Sequence, residues 1–501
     1  MMIDYNKLGF KQEKSKDFSA KNLDYKNLGF KAGLEIHQQL DTRKLFSHAP
    51  SILRSDEPEY LIRRKLHAVA GESGEVDEAA LYQVSLDKEF VYEVHSGTTS
   101  LVELDEEPPY QINEEALKIT LQIALLLNCE IQTLTQIMRK TVVDGSNTSG
   151  FQRTVLIARD GFIETSEGNV RIDTICLEED SARKVLENEK EVRYRLDRLG
   201  IPLVEIATAP DLRNAGQVRE AALKIGEILR SCRVKRGIGT IRQDVNVSIS
   251  KGARIEIKGF QDPSMMILTV DKEIERQEKL ILGKMKVISE VRRALPSGET
   301  DFLRPMPGAA RMYPETDLPL LKIHRDLINE VKKTLPKLKT EIEEDLRREG
   351  LNEEMIKLLF KRNQVKEFGE LMKIYPNANF VAKVLLVFPT EIAVRENLNE
   401  YDVEKKFGKE VISDVLEKVR EGKLEESNVR DVFERIVSGE GLEDALRFEK
   451  VNLEDVEEKI HKIIKSKPGL NANAYMGLVM KEFKGKVSGK DAMEIINKML
   501  K

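Results

Sequence analysis

The chain has 501 residues, of which 41% are apolar and 33% charged, with a formal net charge of −5. That length supports two or three domains and a sizeable core. It excludes a globally basic nucleic-acid-binding protein, so any RNA-binding surface must be local. No apolar run approaches the roughly 18 residues of a membrane span, and the N-terminus lacks the apolar core of a signal peptide. A cytoplasmic protein with no membrane partner is therefore expected.

In chain order, residues 1–31 carry a near-repeat, "DYNKLGFK" from Asp4 and "DYKNLGFK" from Asp24. Two copies are too few for a repeat architecture. The segment reads as a duplicated leader, or else as a small docking element. "AGLEIHQQLDTRKLFS" then reads as a strand running into a turn. "NEEALKITLQIALLLNCE" places Ala116, Ile119, Ile123, Leu126 and Leu127 near one stripe of an amphipathic helix, and "VREAALKIGEILRSC" is a second helix. "RLGIPLVEIATAPDL", "GTIRQDVNVSISKGARIEIKGF" and "TDLPLLKI" are strand-rich, the middle one a hairpin turning at Lys251-Gly252. From residue 326 the chain becomes Lys/Glu-rich with helical periodicity. Ser427 or Asn428 opens one helix that stops near Gly439, and Ser488 opens another, with Asp491 in a capping-box-like position. The fold class is α+β: a domain around a largely antiparallel sheet over 32–325, a helical domain over 326–445, and a small helical tail over 446–501. The segment 451–501 holds 10 Lys against 7 acids, a modest local excess that permits contact with RNA phosphate.

The chemistry concentrates on the strands. Side chains alternate across a strand, so Glu35 and His37 share one face. Glu205 interrupts the apolar "PLVEIA". Asp244, Asn246 and Ser248 share a face opposite Val245, Val247 and Ile249, and Arg254, Glu256 and Lys258 share one opposite Ile255 and Ile257. "TICLEEDSAR" sets Glu178, Glu179 and Asp180 after an apolar run. One such strand is ordinarily read as the solvent-facing side of a half-exposed antiparallel sheet. Several carboxylates converging on one face repel each other unless a cation lies among them. Cys129, Cys176 and Cys232 are far apart with no CxxC pair, which argues against a disulfide framework and a zinc ribbon. Oxygen ligands with one imidazole suit Mg²⁺, which usually works alongside substrate phosphates. No P-loop or kinase signature is present. Arg139, Lys140, Lys258 and Arg311 are the candidate phosphate donors, with small residues beside them.

These residues fall in stretches with a family resemblance. "AGLEIHQQLDTRKLFS", "LEEDSARK", "DRLGIPLVEIATAPDLR", "RQDVNVSI", "EIKGFQD" and "MPGAARMYPETDLP" occur in the order found in the B/E subunits of tRNA-dependent amidotransferases. "GLEIHQQL" and "RALPSGETDFLRPMPGAARMYPETD" resemble the archaeal E type more than the bacterial B type. The resemblance implies a cradle domain holding a kinase and transamidase site, then a helical domain and a tRNA-binding tail. It implies ATP- and Mg²⁺-dependent phosphorylation of the glutamyl carboxylate of Glu-tRNA(Gln), followed by amidation. The ammonia would come from an asparaginase-like D-type partner in a heteromer, and no glutaminase signature is evident in this chain. By the same resemblance, His37, Glu179 and Glu205 would ligate the metal, with Glu35 and Asp244 as a second metal or nucleotide group. Arg139, Lys140, Lys258 and Arg311 would contact phosphate. A B-type protein also acting on Asp-tRNA(Asn) and a decayed tRNA-binding scaffold are the alternatives. One departure stands out: the E type carries an inserted domain resembling one in aspartyl-tRNA synthetases, and here only about Lys284 to Ser289 occupy that place.

Overall fold

The computed structural model describes residues 23–500 except 71–73, 77, 261, 307–311, 448–452 and 484–488. The chain divides into two compact units between Leu338 and Lys339.

The first unit is built on one long sheet. In spatial order its strands are Thr300–Pro305, Glu290–Ala294, Ile255–Phe260, Ile241–Ser248, Lys31–Gln39, Pro202–Thr208, Gly168–Glu179, Phe151–Thr165, Ile137–Thr141 and Met312–Pro314. Glu130–Ile131 also pairs with Phe151–Thr165. Neighbours are antiparallel except Ile255–Phe260 with Glu290–Ala294. That parallel pair needs a crossover, supplied by the helix Met265–Leu282. The Lys251-Gly252 hairpin forms as expected, pairing Asn246 with Glu256.

Alternation along the central strands separates two chemistries. Leu34, Ile36, Ile175, Leu177, Val204, Ile206, Val245, Val247, Ile255 and Ile257 are all fully buried. They form one core with Leu121 and Ile123 of the helix Glu114–Leu126, Val218 and Ile225 of Ala215–Ser231, and Val270 and Ile274 of Met265–Leu282. Each such side chain contributes about 1.5–3 kcal/mol of transfer free energy. Asn113 starts the first of these helices by accepting from the N–H groups of Glu115 and Ala116. The residues between the core positions therefore face away from the helices, and the candidate site lies there.

The expected limits of this domain, 32 and 325, are both exceeded. The helix Arg325–Lys333 packs back with Val331 in the core, and Lys118 pairs with Glu330 at 3.0 Å. At the other end the second repeat copy is part of the unit. Tyr25 donates to Asp271 at 2.5 Å, Phe30 is buried, and Gly29 at φ +60° sits where a Cβ would strike Ser250. The first copy lies outside the described residues. A smaller sheet, Tyr60–Arg64, Glu89–Val94, Glu191–Arg195 and Arg183–Glu187, has its own core around Phe90, Tyr92, Val192 and Tyr194.

The second unit is helical. One core gathers residues from Leu346 to Ala445, and another joins the last three helices through Val456, Ile460, Tyr475, Val479 and Ile496. Helices form at Val429–Val437, after a single 3-10 turn over Glu426–Asn428, and at Gly489–Leu500. Ser488, the expected cap of the last helix, lies outside the described residues. Among the described residues no helix is long and apolar enough to cross a membrane.

Candidate active site

The strand Lys31–Gln39 sits between Pro202–Thr208 and Ile241–Ser248, so its polar residues meet partners on both sides. His37 lies opposite Glu205, and Glu35 lies opposite both Ala207 and Asp244. Glu205 in turn faces Cys176, which brings Glu178, two residues along the same strand, to the same surface. Three carboxylates consequently surround one imidazole. His37 Nε2 is 3.3 Å from Glu205 Oε2, 3.6 Å from Glu35 Oε1 and 3.7 Å from Glu178 Oε1.

Two donor sets fit a hard divalent cation. One is His37, Glu178 and Glu205; the other is Glu35, His37 and Asp244. In each set the donor atoms lie within 4.8 Å of one another. Carboxylate oxygens with a single imidazole match Mg²⁺ chemistry, and too few protein donors converge to fill an octahedral shell, leaving positions for water or phosphate. A cavity of about 570 Å³ opens over this face and includes Glu35, His37, Lys140, Gln152, Glu178, Asp180, Arg242, Asp244, Glu256 and Lys258 on its wall.

The electrostatics show how the acids coexist. Burial alone pulls the His37 imidazole down, but the hydrogen bond and charge of Glu205, with Glu178 and Glu35, more than offset it, so His37 titrates above its ordinary range. Burial pushes Glu205 up, and Lys140 and His37 overcome it, holding that carboxyl well below the usual range. Burial, then the neighbouring Glu205, raise Glu35. Burial also raises Glu178, against the charge of Lys140. Lys140 Nζ donates to Glu178 Oε2 at 2.6 Å and Glu205 Oε2 at 3.3 Å. Lys258 Nζ donates to Asp244 Oδ2 at 2.5 Å and pairs with Glu256 Oε1 at 2.6 Å. Arg242 and Gln39 both donate to Asp180, at 2.8 and 2.6 Å. Gly259, at φ +93° beside Lys258 on the cavity wall, has open space where a Cβ would stand.

Of the residues singled out in the sequence, Glu35, His37, Lys140, Glu205, Asp244 and Lys258 converge here. Glu179 does not. It shares strand parity with the core residues Ile175 and Leu177, and so turns to the helix-covered side. There Glu179 Oε2 accepts from the backbone N–H and the guanidinium of Arg153, both at 3.3 Å. Its neighbour Glu178 stands instead among the candidate metal donors, with His37 and Glu205. Arg139 is displaced for the same reason. It shares parity with buried Ile137, donates to Glu315 at 2.5 Å and Asp317 at 3.1 Å, and lies 4.5 Å over the Phe151 ring. The expected phosphate contacts Lys140 and Lys258 are in the cavity, but each is engaged by two carboxylates. Arg311 lies outside the described residues. Glu178, Glu256, Gln152, Asp180 and Arg242 were missed as site residues. The alternation Ile175–Leu177 already assigns Glu178 to the polar face, and Ile137 does the same for Lys140 over Arg139.

This sheet and site define a recognised class, since residues 30–329 match the model of the GatB/GatE catalytic domain. The chain is 36% identical to the E subunit of glutamyl-tRNA(Gln) amidotransferase from Methanocaldococcus jannaschii, over 96% of this chain and 99% of the relative. It is 34% identical to the E subunit from Methanothermobacter thermautotrophicus, over 91% of this chain and 94% of the relative. The same figures, 34%, 91% and 94%, hold for the E subunit from Pyrococcus horikoshii. The chain belongs to the family of E subunits of these amidotransferases.

Proposed function

We propose that this chain converts Glu-tRNA(Gln) to Gln-tRNA(Gln), using ATP and Mg²⁺, with ammonia supplied by an asparaginase-like D-type partner in a heteromeric complex. The observation that carries the reading is the convergence of His37, Glu178, Glu205, Glu35 and Asp244 as two candidate cation-binding sets sharing an imidazole, with all but Glu205 lining one cavity. The names of the relatives and the absence of an evident glutaminase signature support the substrate and the partner.

A free carboxylate is a poor acyl donor because its leaving group is oxide; phosphorylation makes phosphate the leaving group. The work left to the protein is positioning and charge neutralisation. When bound, Mg²⁺ supplies neutralisation of phosphoryl oxygens. His37, Glu178 and Glu205 would hold it, and Glu35 and Asp244 would extend the site. Lys140, Lys258 and Arg242 place positive charge around the same cavity, where it meets phosphate and the acyl-phosphate. Asp180 fixes Arg242 in that position.

The aligned span with the Methanocaldococcus relative, 630 positions, exceeds the 501 residues of this chain. The relative therefore carries residues with no counterpart in this chain, as expected if the inserted domain is absent here. The tail helices after residue 446 are then the remaining candidate for RNA contact.

The test is formation of Gln-tRNA(Gln) by the complex with ATP and free ammonia, which bypasses the partner's glutaminase. His37→Ala is expected to lose activity by about a thousandfold, the scale of lost metal-based charge stabilisation. Product is also expected to stop on chelation of Mg²⁺, and Asp-tRNA(Asn) is expected to give none. A folded His37→Ala complex with normal turnover would overturn the proposal.

A further inference from the structure

Around His37 the acids outnumber the lysines that engage them, and both of those lysines are already paired. Glu35, Glu178, Glu205, Asp244 and Glu256 share Lys140, Lys258 and the imidazole of His37. The two donor sets differ in how this is arranged. In the first, Lys140 lies 2.6 Å from Glu178 Oε2 while His37 faces Glu178 Oε1, and Lys140 reaches Glu205 Oε2, which His37 also faces, only at 3.3 Å. Lys140 and an ion between His37 and Oε1 therefore use different oxygens of Glu178. In the second set, Lys258 lies 2.5 Å from Asp244 Oδ2 and 2.6 Å from Glu256 Oε1, so it already neutralises one of the three donors. Glu35, the other acid of that set, is paired among the described residues only with His37, at 3.6 Å. The side chain of Lys258 is 28% exposed and lines the cavity, so it has room to swing. The next residue, Gly259, leaves open space beside it.

We propose that Lys258 is a tethered counter-cation that occupies Asp244 and Glu256 when the Glu35–His37–Asp244 set is empty, and releases Asp244 when a divalent cation binds there. This rests on the reading of the cavity as a divalent-cation site. The physical reason is local neutrality. Two like-charged carboxylates side by side in a partly desolvated wall need a cation between them. A divalent ion and an ammonium cannot both sit at hydrogen-bonding distance from the same carboxylate oxygen without strong repulsion. The second cation set is thereby weakened relative to the first. Once displaced, the Lys258 ammonium keeps Glu256 as its anchor and turns its remaining donors to the cavity. Cation binding and the presentation of Lys258 to a phosphate are thus one event.

The experiment uses the full chain in complex with its partner and Mn²⁺ as the probe, with free Mn²⁺ read by electron paramagnetic resonance. The wild type is expected to bind two Mn²⁺ per chain with unequal affinity. Lys258→Met should tighten the weaker site at least tenfold and leave the tighter one within about twofold. Arg254→Met, which removes a cation on the same wall that bonds Asn246 rather than Asp244, should change either site less than threefold. In parallel, acetylation of Lys258 in the wild type, followed by mass spectrometry, should rise severalfold when Mn²⁺ saturates the second site. That readout needs no variant to fold. Two Mn²⁺ sites that ignore Lys258→Met, tighten equally in Arg254→Met, or leave acetylation unchanged would overturn this inference alone. A wild type that binds no Mn²⁺ would overturn both the inference and the proposed function.

Discussion

Glu178 and Glu179 are adjacent in sequence, yet they anchor two polar clusters on opposite faces of one sheet. On the open face, Glu178 joins Glu205, Glu35, Asp244 and Glu256 around His37, Lys140 and Lys258, with acids in excess. On the helix-covered face, Glu179 meets Arg153, which also donates to Glu315 at 2.8 Å, and Arg139 completes the group. Two guanidiniums there balance the two buried acids, Glu179 and Glu315, and the third acid, Asp317 on Arg139, is half exposed to solvent. A balanced buried network needs nothing from outside and specifies structure. An unbalanced one beside a cavity is suited to take up a cation, which is the role we propose for it. One strand residue's difference in parity separates the two outcomes.

The strongest way to break this comparison is to neutralise each acid in turn. Glu178→Gln is expected to cut Gln-tRNA formation by about a thousandfold while the protein keeps its fold. Glu179→Gln should leave the rate per folded molecule within a few-fold and appear instead in thermal unfolding, because it strips a partner from buried Arg153. Equal rate losses would mean the two faces are not chemically distinct.

A smaller effect sharpens the closed cluster. Burial opposes ionisation of Glu315, but Arg139 and Arg153 hold its carboxyl below the ordinary range. Glu315→Gln should therefore destabilise the first unit by about 3–5 kcal/mol at neutral pH, the cost of breaking a buried pair from one side. A depressed folded-state pKa stabilises above the ordinary carboxylate value, and that contribution is lost as pH falls through the depressed value. The gap between wild type and variant in urea unfolding should consequently close in acid. A gap that widens there would contradict the assignment.

The smallest effect concerns the residue that joins the faces. Gln152 donates to Glu178 Oε1 at 2.9 Å and to the Glu179 carbonyl at 2.6 Å. Gln152→Leu should weaken Mn²⁺ binding by about tenfold, the usual scale for an outer partner of a ligand. Its stability cost should be about 1 kcal/mol per lost hydrogen bond.

How far the sequence was legible follows from the same parity. Unbroken alternation in "GLEIHQQ" and "RQDVNVSISKGARIEIKGF" placed Glu35, His37, Asp244 and Lys258 on one face and gave the hairpin, because apolar neighbours mark the other face. The run "LEED" offers three consecutive acids, and the resemblance favoured the second of them. Only the apolar residues before the run, Ile175 and Leu177, single out the first. Charge engagement was less legible still. Lys140 and Lys258 have the sequence signature of donors to phosphate, but Glu178 and Glu205 occupy Lys140 and Asp244 occupies Lys258 from other strands, with Glu256 joining from Lys258's own, and the cross-strand pairings depend on register no local pattern shows. The docking of the second repeat copy depends likewise on Asp271 and Ser250, which no local pattern connects to Tyr25 or Gly29.

The central claim is that the acids of the open face exist to hold a cation. The most direct measurement is a Mn²⁺ titration of Glu178→Gln beside Glu179→Gln. The account predicts that the tighter Mn²⁺ site disappears in Glu178→Gln and persists, within about threefold in affinity, in Glu179→Gln. Retention in the first and loss in the second would contradict it.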